Sequence, residues 1–425
     1  MDRKTILNII SHSNDSFDLT CENDQKELLL LAEKLLSFSM ISVSEYKEFI
    51  ELESPPLMFK LAVKLVESRR LIMNISTPLT VGIVFAMWGE HHRLNKKSKI
   101  NPHGENSLLT KVEQLNWITQ DSNVLWKLYP VDDGCPHNSF GIAHRIAQDD
   151  ESREQINVMR LSDAIPTTTG PLNNLHHVDD SKKGGAIILG CQKALDDGMD
   201  CVVYTDADNS VHLGQLGLLL NPYMEQNIQV ILGNRKHKDS ILVKQEERWG
   251  VGIKTLRHMQ RMIGNQIFSQ GIKDTQAAFK LYSHSALVDI LKAPTVYDFS
   301  FDTDWILAAM EQNKPITTVP FAFIDSAAES ASITQGPMTT WYTLLDGLVK
   351  AVRARNATHS NEMAAIFDKE VKSYKDLELI IDVLPPELMD VEDSQLGDPK
   401  VMSPKALQQW FDKAKSKSKK EHAMA

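Results

Sequence analysis

Short apolar runs alternate with helix-like segments over residues 79–234, and this alternation limits the possible folds more than any other feature of the sequence. The apolar runs are rich in β-branched and aromatic residues, which is typical of strands. They are LTVGIVFAMWGE, NVLWKLYPVDDG, CVVYTDAD and IQVILGNR. Between them, SLLTKVEQLNWITQ and KKGGAIILGCQKALDDG have helical character. Strands that alternate with helices predict an α/β fold with a mostly parallel, doubly wound sheet flanked by helices.

Helical sequence flanks this region on both sides. Before it, apolar residues recur three and four apart in KELLLLAEKLLSFSM and LMFKLAVKLVESRRLIM, with Pro55 and Pro56 between the two segments. After it, MTTWYTLLDGLVKAVRAR, NEMAAIFDKEV and SPKALQQWFDKAKSK are helical, and the acidic stretch DVLPPELMDVEDSQLGDPK is expected to be a mobile linker. We therefore predict a helical extension over 1–78, a central domain over 79–330, and a helical extension with a charged tail over 331–425.

The composition argues against several function classes. The 56 acidic residues outnumber the 46 basic ones, and the resulting net charge of −10 disfavours binding to nucleic acid. No segment has the roughly 18 apolar residues that a membrane span needs, and the first residues lack the pattern of a signal peptide. The four cysteines form no CxxC pair, which predicts reduced thiols in a cytoplasmic protein. Membrane contact is expected to be at most peripheral, through the basic tail KAKSKSKKEHAMA.

Acidic residues follow two of the predicted strands. Asp206 and Asp208 come at the carboxyl end of the strand CVVYT, where open α/β sheets place their ligands. Two carboxylates one residue apart can both contact a divalent metal, and hard oxygen ligands suit Mg²⁺ or Mn²⁺. Asp132 and Asp133 end another strand, and Lys183 with two glycines opens a helix whose backbone N–H groups can bind an anion. Taken singly, each motif also occurs as an acidic turn or a solvated helix start.

Seven segments together are more informative than any of them alone. In chain order they are VGIVFAMWGEHHRL, VDDGCPHNS, KKGGAIILG, VVYTDADNS, ILGNRK, KDTQAAFKLY and FSFDTDWILAAM. This set resembles the family 2 glycosyltransferases of the GT-A fold over about residues 80–325, especially the branch that includes dolichyl-phosphate sugar synthases. The resemblance implies a metal-dependent hexosyltransferase that uses a nucleotide-diphosphate sugar, UDP-hexose or GDP-mannose, and inverts the anomeric carbon. Because the chain lacks that branch's membrane helices, the acceptor can be a small molecule or a peripheral lipid phosphate.

The resemblance also implies which residues bind the donor. Glu90 stands where the family has a nucleotide-binding glutamate, although Ala86 and Gly89 replace the usual preceding residues. Four further residues are implicated. The family's nucleoside-binding acids match Asp132 and Asp133, its nucleotide-proximal lysine matches Lys183, and Arg235, at the end of a predicted strand, is expected to contact phosphate.

The metal motif of the family matches Asp206 and Asp208. The resemblance makes Asp208 the better candidate for direct coordination by Mn²⁺ or Mg²⁺, and gives Asp206 a contact with the ribose or the metal. Ser210 stands where many relatives have a glutamine ligand, so the remaining ligands are open. His212 lies close enough in sequence to complete the metal shell, although a packing role is the more common one for an isolated histidine.

The segment DTQAAFKLY is similar to the family signature DTQxGFK, with Ala278 in place of the glycine. The resemblance makes Asp274 the leading candidate for the base that takes the acceptor's proton, and gives Gln276 a place in the donor or acceptor pocket. Asp304, in FDTDW, matches an acid of the family's next block and is a second catalytic candidate. A carboxylate stabilised by a helix N-terminus explains Asp304 equally well.

Two other functions remain open from the sequence. A sugar-phosphate nucleotidyltransferase would also combine a parallel sheet with metal carboxylates, but it is expected to carry a glycine-rich loop after the first strand, and AMWGEHHRLNKKS has one glycine. A non-catalytic nucleotide-sugar-binding protein is the third candidate, because Gly89, Ser210 and Ala278 depart from the family pattern. The helical extensions could form an acceptor lid or a contact in a homo-oligomer.

Overall fold

The computed structural model describes residues 3–14, 17–244, 250–325 and 336–424. The chain forms two compact units. The first unit comprises residues 1–245, 277–292 and 314–328, and the second comprises 246–276, 293–313 and 329–425. The division into three parts at residues 78 and 330 stays a prediction.

A seven-stranded sheet forms the centre of the first unit. The strands of this sheet and of a separate two-stranded sheet are β1 (Leu79–Met87), β2 (Val124–Asp132), β3 (Met159–Arg160), β4 (Cys201–Thr205), β5 (Val230–Asn234), β6 (Ile241–Val243), β7 (Phe279–Ser283), β8 (Ile316–Pro320) and β9 (Ala322–Ile324). Their order in the sheet is β3-β2-β1-β4-β7-β5-β8, while β6 and β9 form a separate parallel pair. Within the sheet, β7 pairs antiparallel with both neighbours and the other pairs are parallel. The predicted mostly parallel α/β fold is therefore confirmed.

The helices of the described residues belong to both units. They are α1 (Arg3–Ser11), α2 (Glu22–Leu36), α3 (Val43–Glu53), α4 (Leu57–Met73), α5 (His91–Leu94), α6 (Ser107–Thr119), α7 (Ser139–Asp149), α8 (Gly184–Asp196), α9 (Leu216–Gln226), α10 (Ile253–Ile263), α11 (Asn265–Phe268), α12 (His284–Ile290), α13 (Phe301–Glu311), α14 (Pro337–Ala354), α15 (Asn361–Glu370), α16 (Tyr374–Glu378) and α17 (Pro404–Met424). Among the described residues, no helix combines the length and the apolarity that crossing a membrane requires.

The central strands are buried on both faces, as expected where helices cover a parallel sheet. Every residue of β4 and β5 is buried. Helix α8 approaches the sheet closely because Gly190 has no side chain: a Cβ there would lie 2.4 Å from Cγ1 of Val84 and 3.1 Å from Cγ2 of Val131. This close packing fixes the start of α8 relative to the ends of β1 and β2.

Helix α4 packs tightly inside the first unit. At the crossing of α4 and α9, the Gly217 N–H donates a 2.8 Å hydrogen bond to Oγ of Ser68, and a Cβ on Gly217 would lie 2.1 Å from the Ser68 carbonyl oxygen. Arg69 lies over the Trp117 ring and donates to the Trp117 carbonyl oxygen. These contacts make α4 part of the core that supports the sheet.

The second unit holds together through helix packing and ion pairs. The acidic stretch 382–400, which the sequence predicts to be a mobile linker, contains short 3₁₀ helices at Pro386–Leu388 and Asp393–Gln395. It is attached to α10, because Nη2 of Arg261 lies 2.5 Å from Oδ2 of Asp393 and Nζ of Lys254 donates to the Met389 carbonyl oxygen at 3.0 Å. Asp393 therefore has a basic partner that the sequence pattern did not reveal.

Candidate nucleotide and metal site

Three strand ends meet at one edge of the sheet in the first unit. Met87 at the end of β1 is in register with Asp132 at the end of β2, and Val84 of β1 is in register with Tyr204 of β4. Because these strands run parallel, the residues that follow them emerge at the same edge. The predicted acids of the first unit are therefore brought to one region, as the sequence pattern indicated.

Asp132 borders a pocket of about 320 Å³. Its Oδ1 accepts hydrogen bonds from the N–H groups of Gly134 and Cys135 at 3.1 Å, and its Oδ2 accepts one from Phe140 at 3.2 Å. Burial raises the pKa of Asp132 against the effect of these donors. The guanidinium of Arg160 lies 3.8 Å from the centre of the Phe140 ring. The pocket is lined by Asp132, Gly134, Cys135, Pro136, Asn138, Phe140, Arg160 and Ser162.

Asp133 does not line this pocket and instead fixes the start of α8. Its two oxygens accept hydrogen bonds of 2.6 Å from Oγ of Ser181 and from the backbone N–H of Lys183. Lys183 has a φ of +82°, a conformation in which most residues other than glycine are strained, so the Asp133 carboxylate stabilises an unfavourable backbone. Burial raises the pKa of Asp133 to about 6, although these hydrogen bonds act in the opposite direction.

The side chain of Lys183 reaches the end of β4. Its Nζ lies 2.5 Å from Oδ1 of Asp206, and the Asp206 side chain is 35% exposed. Burial disfavours the charged form of Asp206, but the Lys183 ammonium and, more weakly, Arg235 outweigh it and lower the pKa of Asp206. Arg235 itself lies 5.2 Å from the centre of the Phe323 ring. Asp206 is therefore held as an anion among cations.

Asp208 is half-buried and lies in a turn that several hydrogen bonds hold in place. Its Oδ1 accepts the N–H of Ser210 at 3.0 Å, and its backbone carbonyl oxygen accepts a hydrogen bond from Nζ of the fully buried Lys111. The next residue, Asn209, donates its backbone N–H to Oε2 of Glu105 at 2.9 Å. Burial lowers the pKa of Lys111, although the carboxylates around it favour its charged form.

Glu90 is buried in an ion pair. Its Oε2 lies 2.9 Å from Nη1 of Arg93, and Nε of the same arginine lies 3.0 Å from Oε1 of Glu105. Burial raises the pKa of Glu90 to about 7 in spite of the Arg93 charge. Glu90 therefore supports the neighbouring loops, and the nucleotide contact implied for it stays a prediction.

Arg93, Glu105 and Lys111 are charged residues of this region that the sequence reasoning missed. One of them left a signal in the sequence: Lys111 follows Leu108 by three positions and precedes Leu115 by four, so it falls on the apolar face of α6. No comparable pattern marks Glu105, which lies in the polar segment NPHGEN.

The donor set fits a hard divalent cation. Asp206 and Asp208 offer carboxylate oxygens, and Mg²⁺ and Mn²⁺ are commonly held by one or two carboxylates together with substrate phosphates and water. Within the described residues there is no cluster of three or more His, Cys, Asp and Glu side chains arranged to hold a metal ion. A Mg²⁺ ion at Asp206 and Asp208 would take its further oxygen ligands from substrate phosphates and water.

His212 has a packing role in the structure. Its ring is fully buried, its Nδ1 accepts the N–H of Gly214 at 2.9 Å, and burial lowers its pKa to about 3. A neutral imidazole that caps the 3₁₀ helix Leu213–Gln215 through Nδ1 gives no support to the predicted role as a metal ligand. That role stays a prediction.

The two catalytic candidates, Asp274 and Asp304, and the predicted pocket residue Gln276 belong to the second unit. Asp274 is buried and Gln276 is half-buried. Asp304 is fully buried near the start of α13. Its Oδ1 lies 2.6 Å from Nε of Arg355, and both of its oxygens accept hydrogen bonds from Thr295. These contacts describe a structural ion pair, so they give no support to a catalytic role for Asp304, which stays a prediction.

No protein-family model matches the sequence. Among solved structures, it is similar to glucosyl-3-phosphoglycerate synthase from Mycobacterium tuberculosis in complex with Mn²⁺, UDP and glucosyl-3-phosphoglycerate, at 13% identity over 70% of this chain and 85% of that chain, with a TM-score of 0.43. It is also similar to mannosyl-3-phosphoglycerate synthase from Rubrobacter xylanophilus, at 11% identity over 69% and 80%, with a TM-score of 0.45. At these values the similarities do not decide what this chain does.

Proposed function

We propose that the chain is a metal-dependent glycosyltransferase that moves a hexose from a nucleotide-diphosphate sugar to an acceptor hydroxyl or phosphate, with inversion at the anomeric carbon. One observation carries the proposal. Asp206 and Asp208 follow β4, Lys183 pairs with Asp206, and the pocket at Asp132 follows β2, all at one edge of the parallel strands. With this arrangement, a metal at the two carboxylates, a phosphate at Lys183 and a nucleoside in the pocket at Asp132 would be neighbours.

The pocket at Asp132 is proposed to take the nucleoside. Its walls combine hydrogen-bonding groups with the Arg160 guanidinium, which lies over the Phe140 ring and on which a base can stack. Asp133 acts indirectly, because its oxygens are bonded to Ser181 and to the Lys183 backbone. UDP-hexose and GDP-mannose are the proposed donors.

The diphosphate is proposed to lie beside the paired Lys183 and Asp206 side chains and next to Asp208. The N-terminus of α8 presents backbone N–H groups next to Lys183, and Arg235 supplies another cation near Asp206. A Mg²⁺ or Mn²⁺ ion bound by the two carboxylates would neutralise the charge that develops on the departing nucleoside diphosphate. The residues of the chain bind and orient the diphosphate so that the sugar carbon faces the acceptor.

The acceptor oxygen is proposed to attack the anomeric carbon from the side opposite the diphosphate. The new carbon–oxygen bond forms as the bond to the diphosphate breaks, and the acceptor's proton passes to a carboxylate base. Asp274 is the proposed base, on the basis of the resemblance of DTQAAFKLY to the family signature. A small hydroxyl or phosphate compound is the proposed acceptor class.

A donor screen tests the proposed function. Purified protein is incubated with UDP- and GDP-sugars and with Mn²⁺, Mg²⁺ or EDTA, and both donor hydrolysis and the thermal unfolding midpoint are measured. Phosphoglyceric acid joins the acceptor panel because it is bound with UDP-glucose and Mn²⁺ in one of the similar structures. We expect stabilisation by one nucleotide sugar that requires the metal. Stabilisation by a nucleoside triphosphate with a sugar phosphate would instead identify a nucleotidyltransferase.

Two variants separate binding from turnover. Asp208→Asn should abolish metal-dependent stabilisation by the donor, whereas Asp274→Asn should retain that stabilisation and lose turnover. Asp196→Asn is the matched control, because Asp196 is exposed at the opposite end of α8. Full turnover in either site variant would remove that residue from the proposed mechanism.

A further inference from the structure

A single peptide group follows the predicted metal carboxylates and is held between two opposite charges. Its carbonyl oxygen belongs to Asp208 and accepts a hydrogen bond from the Lys111 ammonium. Its N–H belongs to Asn209 and donates to the Glu105 carboxylate at 2.9 Å. The negative end of the peptide dipole thus contacts a cation and the positive end contacts an anion. Rotation of this peptide would bring like charges together, so its orientation is fixed.

Glu105 is itself held in place. Its Oε1 is bonded to Nε of Arg93, and its backbone carbonyl oxygen accepts a 3.0 Å hydrogen bond from Nδ2 of Asn209. Glu105 and Asn209 are therefore joined by two hydrogen bonds although they lie 104 positions apart in the chain. Both residues are almost fully buried. This rigid connection links the loop before α6 to the turn after β4.

Fold stability alone is a weak explanation for this cluster. Burying ions costs desolvation energy, and well-packed apolar residues of similar volume are often as stable or more stable. Lys111 and Glu105 instead fix the orientation of the turn, because each of them bonds a particular backbone atom of it. The torsions on either side of that peptide help set the direction of the Asp208 side chain, whose Oδ1 is also bonded to the Ser210 N–H.

We propose that Glu105 is a positioning residue that, together with Lys111 and through Asn209, presets the turn carrying Asp206 and Asp208 and thereby sets the affinity of the protein for a divalent metal. The inference rests on the proposed function, since it takes these two carboxylates as the metal ligands. It goes beyond that function because neither Glu105 nor Asn209 is expected to touch the metal or the donor. Residues that orient metal ligands commonly change metal affinity by about 10–100-fold when they are replaced.

The test measures Mn²⁺ binding to the ligand-free protein by electron paramagnetic resonance of the unbound ion. Glu105→Gln removes the charge of the side chain. Glu105→Asp keeps the charge, but its side chain is too short to make the same hydrogen bonds. We expect both variants to bind Mn²⁺ about tenfold or more weakly than the wild type. Glu113→Gln, an exposed glutamate on α6, should bind Mn²⁺ like the wild type.

Asn209→Ala keeps the test decisive if the Glu105 variants do not fold. It breaks one of the two bonds to Glu105 and leaves every charge paired, and we expect weaker Mn²⁺ binding with little change in the unfolding midpoint measured in EDTA. Wild-type affinity in Glu105→Asp and Asn209→Ala would overturn the positioning role, even if Glu105→Gln bound weakly, because charge alone would then explain the loss. Absence of saturable Mn²⁺ binding in the wild type would overturn both this inference and the metal site of the proposed function.

Discussion

Replacing Arg355 by methionine tests whether Asp304 is a structural residue of the second unit. Asp304 has no exposed surface and the Arg355 side chain is 7% exposed, so the 2.6 Å contact between them is a buried ion pair. Methionine fills much of the arginine's volume but carries no charge. The Asp304 carboxylate then keeps its two hydrogen bonds from Thr295 and loses the guanidinium. A buried charge that has lost its partner is strongly unfavourable.

The magnitude follows from burial. Removing one partner of a buried pair typically costs about 3–5 kcal/mol of stability. Because the Thr295 hydrogen bonds remain, we expect Arg355→Met to lower the free energy of unfolding by about 3 kcal/mol. Arg353 offers a matched control, because its 2.5 Å pair with Asp368 is nearly half-exposed on both sides. Exposed pairs contribute about 0–1 kcal/mol, so Arg353→Met should change stability little.

The assay is chemical unfolding followed by tryptophan fluorescence, to which the buried Trp305 beside Asp304 contributes. The double variant Asp304→Leu, Arg355→Met should recover much of the lost stability, since it replaces the whole ion pair by apolar groups. Equal losses in Arg355→Met and Arg353→Met would refute the reasoning. So would an Asp304→Asn variant that unfolds like the wild type but has lost all turnover, because that is the behaviour of a catalytic residue.

Three further predictions concern Asp133 after β2, Gly217 at the crossing of α4 and α9, and Asp274 as the proposed base. Because burial raises the pKa of Asp133 from 3.8 to about 6, its contribution to stability is present below about pH 4 and is lost as the pH rises to 6. Asp133→Asn should therefore remove up to about 1.4 kcal/mol per pH unit from the stability slope in this window, and an unchanged slope would contradict the assignment. Gly217→Ala should destabilise the protein by about 1–3 kcal/mol, because its Cβ would meet the Ser68 backbone, and wild-type thermal stability would show that the crossing relaxes. Asp274→Asn should lower kcat and leave the KM for the donor nearly unchanged; a rise in the donor KM alone would make Asp274 a binding residue.

The strands of the sheet were largely predictable because each is a short apolar run between polar turns. The runs in LTVGIVFAMWGE, NVLWKLYPVDDG, CVVYTDAD and IQVILGNR became β1, β2, β4 and β5. The direction of β7 was not predictable in the same way. The segment FKLYS carries no local signal of strand direction, and its antiparallel pairing with β4 and β5 is seen only in the folded chain.

The candidate site was predictable where it depends on strand ends. Asp132, Asp206 and Lys183 lie where the alternating pattern put them, because parallel strands expose their carboxyl ends at one edge. The supporting contacts were not predictable, because they join residues about 100 positions apart. Glu105 and Asn209 illustrate this. Both are polar residues in turn-like sequence, and only the folded chain shows that they form two hydrogen bonds with each other.

The place of β7 between β4 and β5 has a consequence for protein synthesis. The strand that leads into Asp206 has β1 on one side, but its other neighbour is made from residues 279–283, which emerge from the ribosome more than 70 residues later. A nascent or truncated chain that stops before Phe279 would leave β4 and β5 with exposed backbone hydrogen-bonding groups, a known hazard for aggregation. Fragments for expression should therefore extend through β8, and cutting the chain at residue 245 would remove the middle of the sheet.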